Sequence, residues 1–424
     1  MKTVDTISLI VIFASLFFTS LFGANPSQNQ LIEQNRMQVI TGLENLLQNH
    51  TEKIQGKRLG IVTNHTGIDD YGVPNWIRLR EIQNVKVIAL FSPEHGLSGQ
   101  FQAGEIVLNE EFSKEPIKVY SLYGKTKKPT PDMLKEIEIL LYDIQDIGTR
   151  FYTYITTLGL ILEAAGENNI PVLILDRPNP ITGIHISGPV LEEHLKSFVG
   201  YYPIPVQYGL TVGELATMII NEKWITSYPE IEIIPLLNWE RNLWYDEITL
   251  RWIKTSPNIP DLTTALVYSG TCFLEATNIS EGRGTPHPFL WIGSPWINGE
   301  QLSYSMNKHN LPGVLFESIN FTPSIKEKVN IYCKYQNEEC KGIEINITNR
   351  NVFDSVEMGI FLLTTLNYLY PDKLQINPDR MNRLFGTEIL TEGLMNKTHP
   401  KDIIHQYKPA LENFKKIRIK YLLY

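Results

Sequence analysis

From residue 58 onward, continuous apolar runs alternate with stretches in which apolar positions recur every three or four residues. RLGIVTN, VKVIALFS, PIKVYSLY, EILLYDI and PVLILDRP are the runs, and helical patterns lie between them at 75–82, 131–137 and 151–167. Unbroken rather than alternating apolarity predicts strands buried on both faces. The strand–helix–strand rhythm then predicts a doubly wound parallel sheet. A helical pattern through Val39, Leu43, Leu46 and Leu47 precedes the first strand. Another, at 211–223, opens with Thr211 and Glu214 at the spacing of a capping box and leads into EIEIIPLL.

Beyond Asn298 the rhythm changes to GVLFESINFTP, GIEINITNR, a helix at 355–369 and a basic tail ending KKIRIKYLLY. The expected organisation is an α/β domain over 36–295 followed by a smaller α+β auxiliary domain over 296–424. At the start of the chain, Lys2, the apolar run from Ile7 to Phe18 and the small residues Gly23 and Ala24 read as a secretory signal peptide over 1–24. The run is shorter than a membrane span requires. A secreted, periplasmic protein with no lasting membrane span is therefore expected.

Composition narrows the function classes. The 43% apolar and 20% charged content over 424 residues is that of a globular protein, and a net charge of −8 argues against a nucleic-acid partner. Cys272, Cys333 and Cys340 are too few for a disulfide scaffold or zinc cluster. Cys333 and Cys340 suit one bridge or two buried thiols. The chain has no GxGxxG after its first strand, no GxxxxGK[ST], no GxSxG and no HExxH. A nucleotide cofactor, a serine hydrolase and a zinc protease lose support, and neither a cofactor nor a metal is expected.

In an open parallel sheet, ligands bind beyond the carboxyl ends of the strands. Those ends read TNHTG (Asn64, His65), SPEHG (Glu94, His95), DIQDIGTRFYTY (Asp143, Asp146, Arg150, Tyr152) and DRPNP (Asp176, Asn179). A scaffold edge needs turn formers, not this density of carboxylates, histidines, arginine and tyrosines. Pro93 and Gly96 flank Glu94 and fix its direction, so Glu94 is expected to enter a cleft shared with the other loops. Two further loops add candidates. EGRGTPHPF carries Glu281 and Arg283, whose guanidinium suits a carboxylate-bearing ligand, or it is a solvated surface turn. SPNIP carries Asn258, suited to a sugar hydroxyl or to starting a helix.

At TNHTG, FSPEHG, YDIQDIGTRFYTY, DRPNP, SPNIP and EGRGTPHPF the sequence resembles the NamZ-type exo-β-N-acetylmuramidases, a glycoside hydrolase family formerly known as a domain of unknown function. The motifs keep the family's order, and the likeness runs from about residue 40 to the C-terminus. It implies a Rossmann-like domain joined to a smaller one with the active-site cleft between them. It also implies removal of terminal N-acetylmuramic acid from peptidoglycan fragments, with muramyl saccharides as the ligands. On that reading Glu94 is the general acid. Asp146 is the first choice for the second catalytic group, ahead of Asp143 and Glu281, unless it caps the following helix or the substrate's own acetamido group attacks. Arg150 or Arg283 would bind the lactyl carboxylate. Asn64, His95, Tyr152, Asp176, Asn179, Asn258 and Glu281 complete the expected substrate contacts. The alternative from another class is a periplasmic muramyl-sugar binding protein without catalysis.

Overall fold

The computed structural model describes residues 36–98, 117–324 and 333–424; the leader expected at 1–24 lies outside them. Helix α1 (Gly42–Asn49) leads into β1 (Arg58–Thr63), α2 (Asn75–Arg80), β2 (Lys86–Ser92), β3 (Lys118–Ser121), α3 (Pro131–Leu134) and β4 (Ile139–Asp143). Then come α4 (Tyr154–Glu167), β5 (Val172–Leu175), α5 (Val212–Asn221) and β6 (Ile231–Ile234). All these strands pair in parallel in the order β3-β2-β1-β4-β5-β6. The chain thus starts at the middle of the sheet, builds one half outward, and returns to build the other. β1 and β4 flank the point where the direction reverses, which is where such sheets open a crevice.

The apolar runs explain this sheet. Residues of β1, β4 and β5 are buried almost throughout, so both faces need cover. Leu43, Leu46 and Leu79 cover one face, and α4 and α5 cover the other. The capping box of α5 forms as expected, with Thr211 Oγ1 accepting from Glu214 N and Glu214 Oε2 accepting from Thr211 N.

The second unit contains α6 (Leu262–Thr271), β7 (Trp291–Ser294), α7 (Gly299–Asn307), β8 (Val314–Phe321) and β9 (Cys340–Ile347). It ends with α8 (Ser355–Leu369), α9 (Pro378–Phe385), α10 (Ile389–Met395) and α11 (Pro400–Arg418). Its strands form an antiparallel sheet in the order β7-β9-β8. The boundary expected at 295 needs moving, because β7 precedes it yet pairs with β9. Helix α6 belongs with the second unit too. A Cβ on Gly270 would lie 1.8 Å from the Ser355 carbonyl oxygen, and one on Gly359 would lie 2.4 Å from the Gly270 oxygen. Only glycine allows the α6 and α8 backbones to approach so closely.

The carboxyl-terminal tail returns to the first unit. Tyr424 Oη donates to Asp176 Oδ2 at 2.7 Å and accepts from Leu236 N at 2.9 Å. The three cysteines are free and buried. No helix among the described residues is long and apolar enough to cross a membrane.

Candidate active site

Strand β2 ends at Ser92, and the chain turns at once through Pro93, Glu94, His95 and Gly96. Gly96 N donates to Pro93 O at 3.1 Å, closing the turn, and both His95 (φ 71°) and Gly96 (φ 70°) are left-handed. A left-handed histidine costs roughly 1–2 kcal/mol. That strain is tolerated where the turn aims Glu94 off the strand end.

Glu94 is half-buried, and its Oε2 accepts from Thr153 Oγ1 at 2.7 Å. The Tyr123 hydroxyl, just past β3, also hydrogen-bonds Glu94; burial and then this carboxylate push the tyrosine pKa up to about 12. Both partners are hydroxyls, which donate or accept. Glu94 therefore keeps its neighbours in either protonation state, as an acid that must later act as a base requires.

His95 follows, its pKa lowered by burial and by the nearby His65 and Arg283, against the pull of Glu94. His65 Nε2 is 2.6 Å from the Lys254 carbonyl oxygen. Tyr152 and Tyr154 are buried behind this turn, donating to Thr255 Oγ1 at 2.8 Å and to Thr255 O at 2.7 Å respectively. Asn258 lies three residues beyond Thr255 in the same loop and is half-buried. The loops after β1 and β2, the start of α4 and the 254–258 segment thus converge.

The loop 281–285 supplies the cation. Arg283 pairs with Glu281 through Nε at 3.1 Å and with Glu275 through Nη2; Glu281 also holds Lys334 Nζ at 2.9 Å. Burial alone would pull the Arg283 pKa down, but the Glu275 and Glu281 carboxylates outweigh it and raise it. Nη1 has no partner among the described residues, so one edge of a fixed guanidinium stays available near His95. Glu281 is a support for that arginine, with both oxygens engaged, rather than a substrate contact.

Besides Glu281, four expected site residues on the parallel-sheet side, Arg150, Asp176, Asn179 and Asp146, hold the scaffold, and Asn64 joins them. Arg150 is fully buried and donates to the backbone oxygens of Pro189 (2.7 Å), Ile204 (2.9 Å), Leu384 (2.8 Å) and Phe385 (2.7 Å). It clamps α9 to the first unit through both Nη groups, and with Nε sealed in the interior it offers no accessible edge to a lactyl group. Gly386 fits against it, since a Cβ there would lie 2.6 Å from Arg150 Nη2. Asp176 accepts from Thr211 Oγ1 (2.7 Å), Gly213 N (2.8 Å) and Tyr424 Oη (2.7 Å), and burial raises its pKa to about 6. Asn179 is buried, donating to Leu210 O and accepting from Ile181 N.

Asp146 is the fourth. It does not cap α4, whose N-cap is Thr153. Its Oδ2 accepts from Gly148 N at 2.7 Å and from the Tyr208 hydroxyl, and burial lifts its pKa to about 7 against those donors. Only 4% exposed, it organises the loop beneath the cleft. Asp143 is likewise engaged, pairing with Arg177 Nε at 2.5 Å and accepting from Asn75 Nδ2 at 2.7 Å. Asn64 is buried as well, its Oδ1 accepting from Thr66 N and Oγ1.

Thr153 and Tyr123 were missed from sequence. Tyr123 had a usable signal, because it follows the carboxyl end of the strand KVYS, next to β2 in the sheet. Thr153 had none, sitting among the aromatic residues of RFYTY.

With this geometry in view, the comparisons with known proteins are specific. Residues 59–263 match the family model described as exo-beta-N-acetylmuramidase NamZ, N-terminal, and residues 266–424 match its C-terminal counterpart. The division falls within the first turn of α6 and well before β7, in accord with the pairing of β7 with β9. A curated relative, the peptidoglycan beta-N-acetylmuramidase NamZ of Bacillus subtilis (strain 168), is 41% identical, the alignment covering 97% of this chain and 99% of that one. Two crystal structures of DUF1343 family proteins from Bacteroides fragilis NCTC 9343 are also similar. The first is 34% identical with a TM-score of 0.84, covering 92% of this chain and 100% of its own. The second is 32% identical with a TM-score of 0.74, covering 91% and 99%.

Proposed function

The chain belongs to the exo-β-N-acetylmuramidase NamZ family, and from that premise we propose that it is a glycoside hydrolase removing N-acetylmuramic acid from the non-reducing ends of peptidoglycan fragments. The observation that carries the mechanism is Glu94 at the end of β2, held by Thr153 Oγ1 and the Tyr123 hydroxyl. In this reading Glu94 protonates the leaving glycosidic oxygen and then, as the carboxylate, takes a proton from the incoming water.

The carboxylates of Asp143, Asp146, Asp176 and Glu281 are all engaged by the protein. With these four carboxylates engaged, we take the substrate's 2-acetamido group as the nucleophile, with configuration at the anomeric carbon retained. The free edge of Arg283 takes the lactyl carboxylate, while Tyr152 and Asn258 line the sugar. The leader with Lys2 and the apolar run to Phe18 supports a site of action outside the cytoplasm.

The test is incubation of the purified chain with a chromogenic β-N-acetylmuramide and, in parallel, with the matching β-N-acetylglucosaminide. Release from the muramide alone is expected. Binding of muramyl sugars without release from either would make the chain a receptor and sink the hydrolase reading.

A further inference from the structure

We propose that a second cavity, at the reversal point between β1 and β4, binds a carboxylate-bearing saccharide independently of the Glu94 cleft. The cavity has a volume of about 490 Å³ and is lined by residues including Arg36, Asp70, Tyr71, Gln145, Arg177 and Arg251. That size lies within the range of small-molecule sites, and its position is the one where open α/β sheets bind ligands. None of Glu94, His95, Thr153 and Arg283 lines it. A single loop separates the two sites: Arg251 and Ile253 face the cavity, while Lys254 O meets His65 and Thr255 meets Tyr152 and Tyr154.

The lining has the chemistry for an acidic sugar. Two of its charged groups are already spoken for, Arg177 by Asp143 and Asp69 by Arg78. Three are not. The guanidiniums of Arg36 and Arg251 are exposed at the rim and have no ion-pair partner among the described residues. The Asp70 carboxylate has no hydrogen-bond donor there, and burial together with Glu44 and Asp69 raises its pKa.

Two rim cations suit a carboxylate, and the exposed Asp70 carboxylate beside them suits sugar hydroxyls. Tyr71, 87% exposed, offers an aromatic face to a pyranose ring. Beneath them Gln145, 4% exposed, spends its Nε2 on the oxygens of Asp146 and Pro178 and leaves Oε1 without a partner. Gln145 Oε1 thus faces the cavity as a free acceptor for a ligand hydroxyl.

The proposal concerns binding only and stands whether or not Glu94 is catalytic. It is tested by hydrogen-exchange mass spectrometry of the full chain with N-acetylmuramic acid, N-acetylglucosamine or D-lactate as probe. N-acetylmuramic acid is expected to protect residues 66–72 and 245–253, in the parent chain and in Glu94→Gln alike. The double variant Arg36→Ala/Arg251→Ala is expected to need about tenfold more ligand for the same protection, with its melting temperature unchanged.

Protection confined to the loops around Glu94, or unaltered in the double variant, overturns the proposal. Equal protection by N-acetylglucosamine removes the carboxylate from it, and equal protection by D-lactate removes the sugar; either result also overturns it.

Discussion

Two arginines compete for the role of reading an acidic substrate, and replacing each separates them. Arg150→Ala removes a guanidinium that satisfies four backbone oxygens, those of Pro189, Ile204, Leu384 and Phe385. A buried carbonyl that loses its donor costs about 1–3 kcal/mol. Taking the low end for each, because water can enter part of the space left by the side chain, the loss is about 4 kcal/mol. For a chain of 424 residues that corresponds to a fall in melting temperature of roughly 4–5 °C.

Arg150→Lys should recover only part of it, since an ammonium carries three donors and cannot span four oxygens on two units. The assay is thermal unfolding followed by tryptophan fluorescence, with KM for a chromogenic muramide measured on whatever folded protein remains. A melting temperature within a degree or two of the parent, together with a raised KM, would refute the clamp and return Arg150 to the substrate.

The other predictions follow from the same geometry. Arg283→Ala should raise KM for the muramide about 10- to 100-fold, the worth of one charge-assisted hydrogen bond, with kcat changed much less; an unaltered KM would separate Arg283 from the lactyl group. Glu94→Gln should lower kcat about 10²–10⁴-fold with muramyl-sugar binding retained, read by single-turnover kinetics, and unchanged turnover would remove Glu94 from the chemistry. Asp146→Asn should keep kcat within a few-fold, because an amide oxygen still accepts from Gly148 N and Tyr208 while its nitrogen takes the place of the unpartnered Oδ1; a thousandfold loss would make Asp146 catalytic after all. The same variant should alter stability with pH. The native pKa of about 7 lies above the ordinary 3.8, so the folded state holds a proton that the unfolded state has lost between those values. Stability contributed by Asp146 is thus full below pH 4 and falls as pH rises to 7, and denaturant unfolding should show a steeper decline in the parent than in Asp146→Asn, where Asp176 with its pKa of about 6 still contributes.

The parallel sheet was legible because its signal is local and redundant. Each of RLGIVT, KVIALFS, ILLYD and VLIL is apolar along its length, and only burial on both faces accommodates that. The placement of chemistry at the carboxyl ends followed from the topology alone. The direction in which each polar side chain turns did not, because its partners are remote. Arg150 is fixed by Leu384 and Phe385, more than 230 residues away. Asp176 is fixed by the terminal Tyr424.

A window around DIGTR or DRPNP contains no trace of either partner, so an inward clamp and an outward ligand look the same there. Glu94 differs because its direction is local: Pro93, a left-handed His95 and Gly96 make the turn by themselves. The same reasoning bears on the domain boundary. Strand β7 looks like one more apolar run after the parallel sheet, and only its pairing with β9, some 50 residues later, assigns it to the second unit. What sequence reading recovers in this fold is therefore bounded by distance along the chain. A site residue aimed by its immediate neighbours is identifiable, whereas one aimed by the far end of the protein needs the structure.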